Sequence, residues 1–218
     1  MPLTPLQHDH RYGEMDQVLR AYAGLPADDT EEKPSEALTA YLRHTWHTRP
    51  WAIGIAETQL REYARTPPGP LRLRLGEVYP LPDPGLDDSA VQGWLLTVAD
   101  HLRRSLTDGG IQPPGAPLTR WEWQARFPEL GQLLGGWFSQ DSGTEFTDHD
   151  EALRDYLDTT DRSLVARLCG EARELLALGL DESDCALGLA ALGLEVDPPA
   201  PYTHRAWLEA IAEDALRG

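Results

Sequence analysis

Residues 147–159 read TDHDEALRDYLDT. Ala152, Leu153, Tyr156 and Leu157 recur at the spacing of one helical face, so the stretch predicts an amphipathic helix over about 148–159. Thr147 is placed to cap it, with Asp150 three residues on in the manner of a capping box. The opposite face is acidic. Asp148, Glu151, Asp155 and Asp158 fall at i, i+3, i+7 and i+10, which lines four carboxylates along one stripe. Like charges at this spacing cost a helix roughly 0.2–0.5 kcal/mol per close pair, so the stripe calls for an explanation. A basic partner is one, and a solvated face tolerated by a stable bundle is another.

The apolar half of this helix occurs twice. Glu151-Ala152-Leu153 and Tyr156-Leu157 repeat Glu36-Ala37-Leu38 and Tyr41-Leu42 at an offset of 115. The same offset sets Gln17-Val18-Leu19 on Gln132-Leu133-Leu134, Tyr22 on Trp137, Ile53 on Leu168 and Leu60 on Leu175. Further along it drifts to 113, where Trp94-Leu95 matches Trp207-Leu208, as insertions in loops would produce. The sequence therefore predicts two copies of one unit, at about 12–107 and 125–218. Residues 108–124, rich in Gly and Pro, form a linker expected to have little regular structure. Trp121 and Trp123 at its end are expected to anchor the second copy. The acidic stripe is not duplicated, because the positions matching it in the first copy are Lys33, Glu36, Ala40 and Arg43.

Around the 148–159 helix the second copy reads as helix throughout. Pro128 opens one helix over 128–138 from a favourable first-turn position. Asp161 caps another that runs to about Ala177 and stops at Gly179. Asp181 caps a fourth over 182–192, ended by Gly193. Pro198 and Pro199 keep the next loop from being helical throughout, and Thr203 caps a last helix carrying Trp207, Leu208, Ile211 and Leu216. Leu71, Leu73 and Leu75 alternate with arginines, as in a short strand, but the matching stretch of the second copy reads as helix and so does this one. The fold class is all-α: two tandem small bundles of four to five helices each, every unit long enough to bury its own core.

Charge narrows the function. The chain of 218 residues has 19 Lys plus Arg against 36 Asp plus Glu, a net charge of −17. Residues 1–106 contribute −4 and residues 107–218 contribute −13. Phosphate backbones repel such a surface, which excludes non-specific nucleic-acid binding, whereas a basic protein is drawn to it. No window is apolar for long enough to cross a membrane, and the N-terminus lacks the pattern of a secretion signal, so the chain is expected in the cytoplasm. Cys169 and Cys185 sit in apolar, helical contexts and read as buried free thiols.

Catalytic signatures are missing. His8 and His10 lie in a terminus expected to be mobile. His44 and His47, three apart, offer two ligands where a catalytic zinc needs three, and no HExxH, GxSxG or glycine-rich phosphate loop occurs. The reading is a binding protein without catalytic residue, metal or cofactor. Gly135-Gly136 beside Trp137 is expected to allow close helix packing or to bend the helix.

Over residues 127–217 the sequence resembles a family of bacterial immunity proteins from contact-dependent growth inhibition systems. The resemblance rests on Phe127-Pro128, Trp137-Phe138, Gln140-Asp141, Glu151-Ala152-Leu153, Asp197-Pro198-Pro199 and Trp207-Leu208. The first copy departs from it, with Tyr22 at the first aromatic, no Phe-Pro start, and YPLPDPGLDD where the second has the Asp-Pro-Pro loop. The resemblance implies a protein that binds and neutralises a cognate toxin domain of a contact-dependent or related polymorphic toxin system. Such toxins are often nucleases, and a nuclease tends to be basic around its site. The partner-binding residues expected are Asp141, Glu145, Asp148, Glu151, Asp155 and Asp158. The alternative is an acidic helical adaptor or regulatory protein that binds another basic protein.

Overall fold

A computed structural model of the chain describes residues 4–65, 86–109, 111, 113, 115–140 and 146–217. Helices are the only regular elements among them: α1 (Pro5–Ala21), α2 (Glu36–Thr48), α3 (Pro50–Arg65), α4 (Asp88–Asp108), α5 (Arg120–Arg126), α6 (Pro128–Trp137), α7 (His149–Thr159), α8 (Arg162–Ala177), α9 (Glu182–Ala191) and α10 (His204–Arg217). The all-α expectation is borne out. The helix expected at Leu71–Leu75 lies outside the described residues. The chain divides into two units, Met1–Glu122 and Trp123–Gly218. The division falls inside α5, so the segment expected to be linker holds the first turn of a helix.

In the N-terminal unit α3 and α4 form the broadest contact, and α1 packs on both α3 and α2. The core between them holds Leu38, Tyr41, Ile53, Leu60, Tyr63, Leu95 and Val98, all fully buried. The start of α1 belongs to this core too. His8 is buried, and its ring packs on Tyr12 at 5.0 Å and on Tyr63 at 6.0 Å. A mobile N-terminus at His8 was the wrong expectation, because the partner that holds it, Tyr63, is remote in sequence. Trp121 also packs in this unit, 5.7 Å from the Tyr41 ring. Only Trp123 serves the second unit.

In the C-terminal unit part of this packing pattern returns. α8 and α10 form the broadest contact, α6 packs on α8 and α7, and α9 on α10. The expected caps recur. Pro128 opens α6. Asp161 accepts from the Ser163 N–H at 2.7 Å, Asp181 from Asp184 at 2.9 Å, and Thr203 from Ala206 at 3.2 Å. Gly179 and Gly193 follow α8 and α9 at φ +67 and +107. The cap of α7 is Asp148 rather than Thr147. One cap was invisible in the sequence: Glu171 Oε2, from α8, accepts the Glu129 and Leu130 N–H groups at 2.8 and 3.0 Å and so closes the N-terminus of α6 from across the core. Both cysteines are buried and free.

A further pair of matching sites lies inside the two units. Tyr41 is buried with Glu14 and Thr45 as neighbours, and Tyr156 is buried with Glu129 and Thr160. Each of the three pairs is separated by 115 residues. Burial, and then the nearby glutamate, raises both phenols, Tyr156 to about 12. An arginine from the neighbouring helix region faces each glutamate: Arg49 lies 3.2 Å from Glu14, and Arg167 lies 3.9 Å from Glu129.

Glycine is required where α9 ends. A Cβ at Gly193 would meet the Gly135 Cα at 2.8 Å, while one at Gly136 would meet nothing within 4 Å. Gly193→Ala is therefore expected to cost about 1–3 kcal/mol from overpacking and a strained φ. Gly136→Ala is expected to be neutral or to stabilise by up to about 1 kcal/mol. Urea denaturation of the two variants checks this.

Candidate functional site

The second unit presents its acidic helix outward. Ala152 and Tyr156 of α7 are buried, as is Leu153, while Asp148, Asp150, Glu151, Asp155 and Asp158 are exposed. The carboxylates are not alike. Asp148 accepts the Glu151 N–H at 2.9 Å and caps the helix. Glu151 Oε2 reaches back to the Thr147 N–H at 2.7 Å, and that hydrogen bond holds its carboxyl below the usual range. Asp155 accepts the Trp137 indole N–H at 2.9 Å. Asp158 has no partner among the described residues. Three of the four stripe residues thus have local structural work that offsets their repulsion, and one does not. Asp141 and Glu145, the other two expected partner-binding residues, lie outside the described residues.

Beneath the stripe is a chain of aromatic contacts. The Trp137 ring meets Tyr156 edge-on at 4.9 Å, and Phe138 meets Trp207 edge-on at the same distance. His149 stacks on Phe138 at 5.6 Å, and its Nε2 lies 3.0 Å from the Asp197 carbonyl. The Glu195 N–H donates to the Phe138 carbonyl at 3.1 Å, and Glu195 Oε2 accepts the Gln140 N–H at 3.0 Å. The sequence motifs at 137–140, 151–153, 197 and 207 therefore converge on one side of α7, although they are spread along the unit. His149, which ties three of them together, was missed. A polar residue between two aspartates gives no sign in sequence that its ring is sandwiched.

Two grooves adjoin α7. A cleft of about 210 Å³ near its N-terminus is lined by Trp137, Phe138, Phe146, His149 and Val196. A wider one of about 540 Å³ lies at its C-terminal end, lined by Leu157, Asp158, Val165, Cys169 and Leu216. No group of three His, Cys, Asp or Glu residues able to hold a metal occurs among the described residues. No helix among them is long and apolar enough to cross a membrane. His44, half-buried, stands edge-on to Trp121, while His47 is exposed.

Residues 126–215 match the family described as CdiI immunity protein, which bears out the resemblance over the C-terminal unit. The match does not extend to the N-terminal unit. No curated protein and no solved structure matches the chain.

The division of labour along the stripe is open to measurement. Asp148→Ala is expected to cost about 1 kcal/mol through loss of the cap. Asp158→Ala is expected to leave stability unchanged or slightly raised, because a carboxylate in the last turn opposes the helix dipole. Glu151 titrates lower in the folded chain than in the unfolded one. Its contribution is therefore present above the unfolded value, about 4.3, and is lost as pH falls through the folded value. Thermal melts of the wild type and of Glu151→Gln should accordingly converge on acidification.

Proposed function

We propose that the chain is an immunity protein whose C-terminal unit binds and neutralises a cognate toxin domain of a contact-dependent or related polymorphic toxin system. It acts by protein–protein contact, without chemistry of its own. The observation that carries this reading is the family match over 126–215, which coincides with the folded unit 123–218. Electrostatics supports it. Residues 107–218 carry 21 acidic against 8 basic side chains, and the α7 carboxylates Asp148, Glu151, Asp155 and Asp158 are exposed together. Asp141 and Glu145 precede them in the chain. Such a face steers a basic partner and repels nucleic acid, which suits inhibition of a toxin that handles phosphate, such as a nuclease.

The N-terminal unit is, in this reading, a diverged tandem copy. The copies span about 12–107 and 125–218, joined by 108–124. Supporting it are the Glu14–Tyr41–Thr45 and Glu129–Tyr156–Thr160 neighbourhoods at a common offset. Three shared helix contacts, α1 on α2 and α3 and α3 on α4, matched by α6 on α7 and α8 and α8 on α10, support it as well.

The chain should co-purify with the product of the adjacent gene and restore growth of cells that express that product's toxic domain. A neighbour that is not toxic, or a toxin left active by the chain, removes this reading. The association rate should fall about tenfold or more from low to high salt, measured by stopped flow, since steering is screened beyond about 10 Å at 0.1 M.

A further inference from the structure

In the N-terminal unit the C-terminal half of α2 is covered by a segment of the chain itself. Arg43 Nη2 donates to the Ala116 carbonyl and to Glu122 Oε1, both at 2.9 Å. The Trp121 ring packs on Tyr41 and stands edge-on to His44, each at 5.7 Å. Glu122 is fully buried, and its other oxygen accepts the Leu118 N–H at 2.7 Å. A charged pair with an aromatic ring beside it thus holds this segment at the end of the helix.

The corresponding positions on α7, 115 residues on, are Tyr156, Asp158 and Thr159. Here Asp158 is exposed and has no partner among the described residues. Next to it opens the groove of about 540 Å³, with Leu157, Val165, Cys169 and Leu216 on its walls. Leu216 is 56% exposed. The charge is inverted relative to α2, with aspartate where arginine stood. The walls carry one charged residue of each sign, Asp158 and Arg162, and Asp155 and Asp161, both exposed, lie near them in the chain. Asp158 occupies the last turn of α7, where the helix dipole disfavours a carboxylate.

We infer that this groove is where the toxin docks, and that its occupant is a toxin segment presenting an arginine or lysine to Asp158 and an aromatic or aliphatic side chain to the apolar walls. The inference rests on the toxin-neutralising reading above and names the surface and the chemistry it uses.

The test is calorimetric titration of the full-length chain with the toxin domain encoded by the adjacent gene. Asp158→Arg and Leu216→Glu are each expected to weaken binding by about tenfold or more, with Asp158→Asn falling between Asp158→Arg and the wild type. Asp150→Arg makes the same change of charge at the other end of α7 and is expected to weaken binding less than about threefold. The Tm of Asp158→Arg should be no lower than that of the wild type, which separates lost recognition from lost folding. If the wild type binds but Asp158→Arg and Leu216→Glu bind as well as it does, or Asp150→Arg is as damaging as Asp158→Arg, the groove is excluded and the immunity reading stands. If the wild type does not bind, both fall.

Discussion

The indole of Trp137 lies against Tyr156 and sends its N–H to Asp155. A large ring enters a small helical core at less cost when its polar edge finds an acceptor, because an orphaned donor costs about 1–3 kcal/mol. Taking the acceptor from the outer face of α7 fixes how that helix sits over the end of α6. Phe138 follows Trp137 directly and turns inward to Trp207, which brings α10 into the same arrangement. The N-terminal unit meets a similar demand with another residue. Asp29 accepts both the Tyr22 hydroxyl, at 2.9 Å, and the Trp94 indole N–H, at 3.0 Å. Each unit thus sets one carboxylate against a tryptophan indole N–H.

This changes the meaning of the acidic stripe. As a pattern of charges it looks like a cost borne for a partner. In the folded unit most of it closes a helix end or completes an aromatic contact, and the same exposed oxygens still contribute to the outward field. Structural and recognition roles are therefore not alternatives for Asp148, Glu151 and Asp155. Asp158 differs in having no local role.

Much of the architecture was legible because it depends on neighbours in sequence. Helical periodicity, Pro128 at a first turn, the aspartate caps at 161 and 181, and the glycines at 179 and 193 all act within a turn or so of themselves. The misses depend on distant residues. His8 is held by Tyr63, and α6 is capped by Glu171, some forty residues further on. Trp121 and Trp123 look equivalent in sequence. Two positions apart on a helix, however, they point to nearly opposite sides, and each joined a different unit. Thr147 and Asp148 are both good caps, and propensity alone does not choose between them. The Glu14 and Glu129 pairing was within reach, since the repeat offset alone connects them. For the candidate site, the exposure of the stripe was legible. The hydrogen bonds that distinguish its members were not.

The Trp123 ring lies so close over Gly188 that a β-carbon there would come within 2.5 Å of it, and it also packs on Phe127 at 5.6 Å. This ring comes from just before residue 126, where the family match begins. A polypeptide cut to the matched segment alone would lose its plug and open a tryptophan-sized hole beside α9, a deficit of about 3–5 kcal/mol. That is a large share of what a unit of this size can spare. The smallest autonomous piece of the molecule is therefore longer than the stretch that carries its family signature.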